Sequence, residues 1–437
     1  MNKIQHLQSA TQLVTLSGVS ILTDPWLTDG EYYGSWYHVP KFPEPLIDEL
    51  KYDFIYVSHI HPDHCSQDTF AKLDPSKKVL IPKFQSSFLK RKIEAFGFTV
   101  EELQHAKPKK LFNDLQITIY LADNCNPELC GRYFGCAISP TQMSPNIDSL
   151  ALIESHKYRI LNTNDCPYEL AKHTIKENNL DDNIDFLSVG YAGAGPYPQC
   201  FEFPTLKQQE AAAAQKEKQF IKMAANFIDL IKPRYFAPFA GTYMLGGGLT
   251  KLNSLRGVPS VQDATTRIAS ITQEPDVSGL ALNTLDVFNL DTKKVDKTTT
   301  NNLDINRRLS EIKQTRVTLP VVNADCELID LLCVAHTRFS NVCKQNNVTS
   351  TTQIFLQTED QRFSFSTFTQ PSNSDPTSEL TEPYLKISLN EDLLRCILSG
   401  PKYAHWNNAL IGSHLQISRY PDVYERDLFH CLNFLHV

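Results

Sequence analysis

Short apolar and β-branched runs recur along the first half of the chain, each ended by turn residues. "QLVTLSG" and "VSILTDPWL" predict a hairpin, and "FIYVSH", "KVLIP", "QITIYLAD", "SLALIESH" and "YRILNT" predict further strands. Helical periodicity intervenes at "SQDTFAKL", "SSFLKRKIEAFG" and "ELAKHTIKENN", then in one long stretch from about Leu206 that Pro233 closes. Strands interleaved with helices predict a layered α/β domain over residues 1–255. From 256 to 305 the pattern weakens into polar, Thr/Asn-rich sequence, which predicts connection and lid material. From 306 to 437 new strands ("TQIFLQT", "RFSFSTFT", "YLKISLN") and helices ("CELIDLLCVAHTRFSNVCKQ", "NEDLLRCILSG") predict a smaller α+β domain.

One strand end carries concentrated chemistry. In "IYVSHIHPDHCSQDTF", His59, His61, Asp63 and His64 fall within six residues, in a chain with only 13 histidines. A polar turn after a buried strand would explain one histidine but not three. Neutral imidazole and carboxylate are the usual ligands of zinc and iron, so the cluster points to metal ligation. Residues two apart on an extended segment share a face, which aligns His59 with His61, and a tight turn then swings Asp63 and His64 across the gap.

Composition narrows the remaining possibilities. The 437 residues exceed what one core usually serves, consistent with two domains. A net charge of −7 without a basic run gives no reason to expect nucleic acid. No apolar stretch approaches a membrane span and the N-terminus lacks a signal-like apolar region, so no membrane partner and a cytoplasmic location are expected. Eleven dispersed cysteines read as reduced thiols rather than a disulfide framework.

"SHIHPDHCS" resembles the H-x-H-x-D-H motif of the metallo-β-lactamase superfamily, whose fold is a four-layer αβ/βα sandwich. The resemblance implies that His59 and His61 hold one metal, that Asp63 and His64 hold a second, and that "YRILNTNDCPYE" delivers Asp165 as a bridging ligand. Asp63 and Asp165 are then the catalytic carboxylates. "ILTDPWL" resembles the superfamily's early T-D-P strand end, which implies that Asp24 orients a ligand histidine. The lesser readings are a turn former before Pro25 for Asp24 and a helix N-cap for Asp165.

The sequence also departs from the superfamily pattern. "PRYFAPFAGTYM" places Ala240 where a later histidine is expected, and "YLADNCNPELCG" offers Asp123 and Glu128 rather than imidazole. Beside "TDPWL", "YVSHIHPDH", "ILNTNDC", "APFAGTY" and the closing "SRYPDVYERDLF", this pattern resembles the CMP-N-acetylneuraminate hydroxylase family. That resemblance implies an oxygenase using one or two iron ions on an anionic, sugar-like small molecule, with Tyr191 in a Gly/Pro-rich active-site loop. No Rieske Cys-His pairs occur, so a separate Rieske protein or reductase is expected as electron donor. A zinc-dependent hydrolase of a phosphodiester, lactone or amide is the alternative, and a non-catalytic metal-binding protein the second alternative. Tyr33 and Trp36 in "EYYGSWYH" can either wall a substrate groove or pack under a loop.

Overall fold

The computed structural model describes residues 2–122, 148–298, 302–322 and 326–437. An eight-stranded sheet begins as antiparallel hairpins, Lys3–Gln8, Thr11–Leu16 and Val19–Thr23. It continues in parallel through Phe54–Tyr56, Lys78–Pro82 and Val100–Leu103. A second sheet of seven strands runs antiparallel through Gln116–Leu121, Ser149–Glu154 and Arg159–Asn162, then parallel through Phe186–Gly190 and Tyr235–Phe239.

Side-chain alternation assigns each strand two faces. In Gln116–Leu121, Ile117 and Ile119 enter the core between the sheets, while Tyr120 joins the outer cluster. Ser149–Glu154 repeats this, with Ala151 and Ile153 inward and Leu150 and Leu152 outward. From the first sheet, Ile4, Val14, Ile21 and Leu80 fill the same central core. Helices cover both outer faces: Phe88–Ala95 and its short neighbours through Ile47, Phe70 and Ile93 on one side, Tyr168–Glu177, Leu206–Ile231 and Val261–Ile271 on the other. The architecture is a four-layer αβ/βα sandwich.

The longest helix shows how the sequence shapes this packing. Thr205 accepts a hydrogen bond from the Gln208 amide and caps its start. Ala213, Ile221, Ala224, Ala225, Phe227, Ile228 and Ile231 form its buried stripe. Lys216 lies in that same stripe, at a position where an apolar residue is the rule.

The expected boundary at 255 is too early, and the expected lid over 256–305 is largely part of the sandwich. Val261–Ile271 packs on the second sheet, Ser278–Gly279 pairs with its edge, and Val287–Asn289 and Lys294–Asp296 extend the first sheet beyond Lys3–Gln8. These strands are two or three residues long, too short for a readable alternation, and the helix buries small residues such as Ala264. The C-terminal unit has a five-stranded sheet with helices Leu328–Gln345, Glu391–Leu398 and Arg426–Leu432 around its own core. It docks on the sandwich, where the Ile417 amide donates to the Cys200 carbonyl and His414 Nε2 lies 2.7 Å from the Tyr32 carbonyl.

Candidate metal centre

Both sheets end their parallel strands at the same edge, and the site is built from the loops leaving it. The Asp24 amide donates to the Tyr56 carbonyl, setting the two loops side by side. After Phe54–Tyr56 the chain turns sharply, with the amides of His64 and Cys65 both donating to the His61 carbonyl. That turn folds the four motif side chains onto one face. Asp165 arrives from the opposite sheet, after Arg159–Asn162, through a turn in which Asn164 is left-handed (φ 47°). Asn164 Nδ2 also donates to the Tyr56 hydroxyl, tying the two sheets together behind the site.

The side chains converge. His59 Nε2 lies 2.9 Å from His61 Nδ1, and the His59 and His64 rings are 4.1 Å apart. His64 Nε2 lies 3.5 Å from Asp63 Oδ2 and 3.4 Å from Asp165 Oδ2. One donor atom each from His59, His64 and Asp165 falls within 4.8 Å of the others. Asp24, fully buried and left-handed at φ 43°, accepts from the Ser58 amide at 2.7 Å and from Ser58 Oγ at 2.8 Å, and it holds His64 Nδ1 at 2.9 Å. It thus holds the ring nitrogen of His64 that faces away from Asp63 and Asp165.

The electrostatics favour a cation here. Burial alone would lower the His64 imidazole, but Asp165, Asp24 and Asp63 outweigh it and raise it well above the ordinary range. His59, lacking those partners, is driven far below by burial and then by its neighbours His64, His61 and Lys92. His64 Nε2 is buried with no hydrogen-bond partner, although it faces two carboxylates. An orphaned imidazole nitrogen, neighbouring imidazoles and clustered carboxylates form a donor set that fits iron or zinc.

Two contributors were not evident from the motif. Asp148, just before Ser149–Glu154, is buried with Oδ1 3.6 Å from His59 Nδ1 and with Oδ2 unpartnered. Burial, then the charge of Asp165, pushes its carboxyl well above the usual range. A lone aspartate gives no sequence signal of this role. Tyr32 donates its hydroxyl to Asp63 Oδ1. It is left-handed, as is Tyr33, so two successive non-glycine residues hold strained backbone where Tyr32 meets the site.

The other expected residues are placed as follows. Asp123 and Glu128 lie outside the described residues. Ala240 is left-handed (φ 63°) after Tyr235–Phe239, and neither His105 nor His173 replaces a histidine there: His105 accepts from the Leu121 amide, and His173 is exposed on its helix. Trp36 is 1% exposed and stacked on Tyr243 at 3.4 Å, so it packs rather than walls an open groove. Tyr33 faces the C-terminal unit, its hydroxyl accepting from the His405 amide. Tyr191 is buried at 1% exposure. In each case the interleaved aromatic residues meet a second layer of protein that the local sequence does not reveal.

Residues 3–126 match the family model described as beta-lactamase superfamily domain. The fold is that of the metallo-β-lactamase superfamily. A Mycolicibacterium smegmatis protein named as a Rieske 2Fe-2S iron-sulfur protein is 27% identical over 253 residues, 55% of this chain and 44% of that relative. The cytidine monophosphate-N-acetylneuraminic acid hydroxylase of Danio rerio is 25% identical over 232 residues, 51% of this chain and 35% of that protein. The chain thus spans less than half the length of these curated relatives. Similar solved structures include CmlA, a diiron β-hydroxylase from Streptomyces venezuelae (TM-score 0.41, 13% identity, 68% of this chain and 54% of that one). Igni18, a metallo hydrolase from Ignicoccus hospitalis, is similar at the same level (TM-score 0.41, 12% identity, 68% and 99%). No helix among the described residues is long and apolar enough to cross a membrane.

Proposed function

We propose that this metallo-β-lactamase-fold protein is an iron-dependent oxygenase. It acts on an anionic sugar or nucleotide-sugar-type metabolite and takes electrons from an external donor. The observation that carries this reading is the donor set: His59, His61 and His64 with Asp63 and Asp165, a further buried carboxylate at Asp148, and Ala240 where another imidazole would favour a hydrolytic zinc pair. Mixed imidazole and carboxylate ligation with an open position suits iron and dioxygen. The sequence similarity to proteins named as sialic-acid hydroxylase and Rieske iron-sulfur protein supports the same direction.

Iron, when bound, would supply the redox capacity to activate dioxygen. His59, His61, Asp63, His64 and Asp165 would hold it, with Asp148 available beside His59. The protein's own part is preorganisation. Asp24 fixes the His64 ring and its proton on Nδ1, leaving Nε2 free to ligate. Tyr32 holds one oxygen of Asp63 and so fixes how that carboxylate presents the other. Asp165, with 35% of its side chain exposed, marks the solvent-facing edge where substrate would approach. Lys92, anchored on the Ile60 carbonyl at 3.0 Å, adds positive charge beside His59 and His61, which favours an anionic substrate.

The test is oxygen consumption by the iron-loaded, chemically reduced protein. Substrate-linked uptake is expected with an anionic sugar-type substrate, and loss of uptake in His61→Ala. Turnover of a phosphodiester, lactone or amide by the zinc form, without substrate-linked oxygen uptake by the iron form, would instead establish the hydrolase, a chemistry the fold by itself equally permits.

A further inference from the structure

We propose that Lys216 and Arg256 form a buried receptor for one small oxyanion of the carboxylate, sulfate or phosphate class. It is entered through the cavity between the Gly193–Tyr197 loop and helix Leu206–Ile231. This goes beyond the reading of the metal centre and does not depend on it.

Arg256 is 3% exposed. Its Nη1 donates to the Tyr243 carbonyl and its guanidinium lies over the Tyr243 ring at 3.7 Å, but Nε and Nη2 have no partner. Lys216 is 8% exposed, and its ammonium is satisfied by the Gly195 carbonyl at 3.0 Å. Neither forms an ion pair with a carboxylate among the described residues, whereas more exposed cations such as Lys78, Arg159 and Arg267 do. Two cations buried together without a counter-charge are unfavourable. The conflict is visible in Lys216, which burial and then Arg256 push down to about 7. A bound anion resolves it.

Glycines at two close approaches build the place. Gly257, left-handed at φ 64°, lies so near the Ala213 carbonyl that a Cβ would sit 2.3 Å from it. Arg256 is thereby pressed on the helix one turn before Lys216. Gly193 lies against the Phe220 ring, where a Cβ would be at 2.2 Å, so the loop is laid directly on the same helix. The cavity between loop and helix has a volume of about 370 Å³ and is lined by Gly193, Gly195, Tyr197, Gln215, Lys216 and Phe220. Lys216 is the cation that lines this cavity, and Arg256, whose charge acts on Lys216, keeps two guanidinium nitrogens without a partner. Thr242, whose buried Oγ1 also lacks a partner, immediately precedes the Tyr243 that holds Arg256.

This receptor is joined to the metal centre by an aromatic column. Tyr243 stacks on Trp36, Trp36 packs on Tyr32 at 4.5 Å, and Tyr32 donates to Asp63. The geometry accommodates either a free ion or the anionic group of a larger ligand.

The experiment is calorimetric titration of the full-length protein with inorganic phosphate, sulfate and methyl phosphate in a low-salt, phosphate-free buffer. Wild type and Lys218→Met, an exposed lysine on the same helix, are expected to bind one equivalent. Lys216→Met, whose stem fills the same space, is expected to weaken binding at least tenfold, and Arg256→Gln likewise. Binding of methyl phosphate as well as phosphate identifies the anionic group of a larger ligand; binding of the inorganic ions alone identifies a free ion. Absence of saturable binding up to about 10 mM in wild type, or Lys216→Met and Arg256→Gln both titrating like wild type, overturns the proposal. Circular dichroism of each variant establishes that it is folded, and phosphorus NMR linewidths of phosphate with wild type and Lys216→Met give the same comparison should Arg256→Gln not fold.

Discussion

Replacing Asp24 by asparagine changes one atom and tests how the metal centre is assembled. Asp24 Oδ1 accepts from the Ser58 amide, and an asparagine carbonyl can keep that bond. Oδ2 faces Ser58 Oγ at 2.8 Å and His64 Nδ1 at 2.9 Å, and the side-chain amide nitrogen that takes its place can only donate. Ser58 can rotate to accept. His64 must accept too, which forces its proton from Nδ1 to Nε2, the nitrogen that faces Asp63 and Asp165. The protein then presents an N–H where a lone pair is needed. Loss of an orienting partner of this kind lowers metal affinity roughly 10–100-fold, about 1.4–2.7 kcal/mol. The metal-free protein also exchanges charged for neutral hydrogen bonds at a fully buried position, a loss of roughly 1–3 kcal/mol. Competitive metal titration measures the first quantity and urea unfolding of the metal-free protein the second. An Asp24→Asn variant that binds iron or zinc within twofold of wild type would refute the reasoning, because the tautomer of His64 would then not control ligation.

Other perturbations follow from the same contacts. Tyr32→Phe removes the hydroxyl bond to Asp63 while keeping the ring in place, so it should cost about 1–3 kcal/mol in urea unfolding and weaken metal binding. Trp36→Ala opens a cavity beneath Tyr243 and should cost about 3–5 kcal/mol; a loss under about 1 kcal/mol by the same assay would mean that Trp36 is not a packing residue. Lys216, ordinarily near 10.5 and held at about 7, binds fewer protons folded than unfolded between those values, so its contribution makes stability rise with pH across that window. Lys216→Met should abolish that slope, gaining on wild type by a few kcal/mol near pH 6 and least near pH 10, in unfolding curves recorded without oxyanions.

The six-residue cluster from His59 to His64 was legible because metal chemistry demands rare residue types at short range, and the strand before it and the turn after it are local structures. The alternating strands and the long helix after Thr205 were legible for the same reason: each face repeats over its own few residues. Which ends meet was decided only by the tertiary structure. Asp165 joins His64 because two sheets stack with their parallel ends aligned, and Asp148 reaches His59 from a strand 89 positions on, a distance no spacing rule spans. Strands of two and three residues after Ser278 belong to the sandwich through hydrogen bonds to neighbours far away in sequence, and so read as a polar connection. Trp36 and Tyr33 follow each other closely in an aromatic run, yet one stacks on Tyr243 and the other meets His405. Lys216 and Arg256, 40 residues apart and each ordinary in its own segment, become unusual only when two glycines let backbone and helix touch. Sequence determines the chemistry a segment carries and the face it shows; burial and long-range pairing determine what that chemistry confronts, because both depend on surfaces supplied by other parts of the chain.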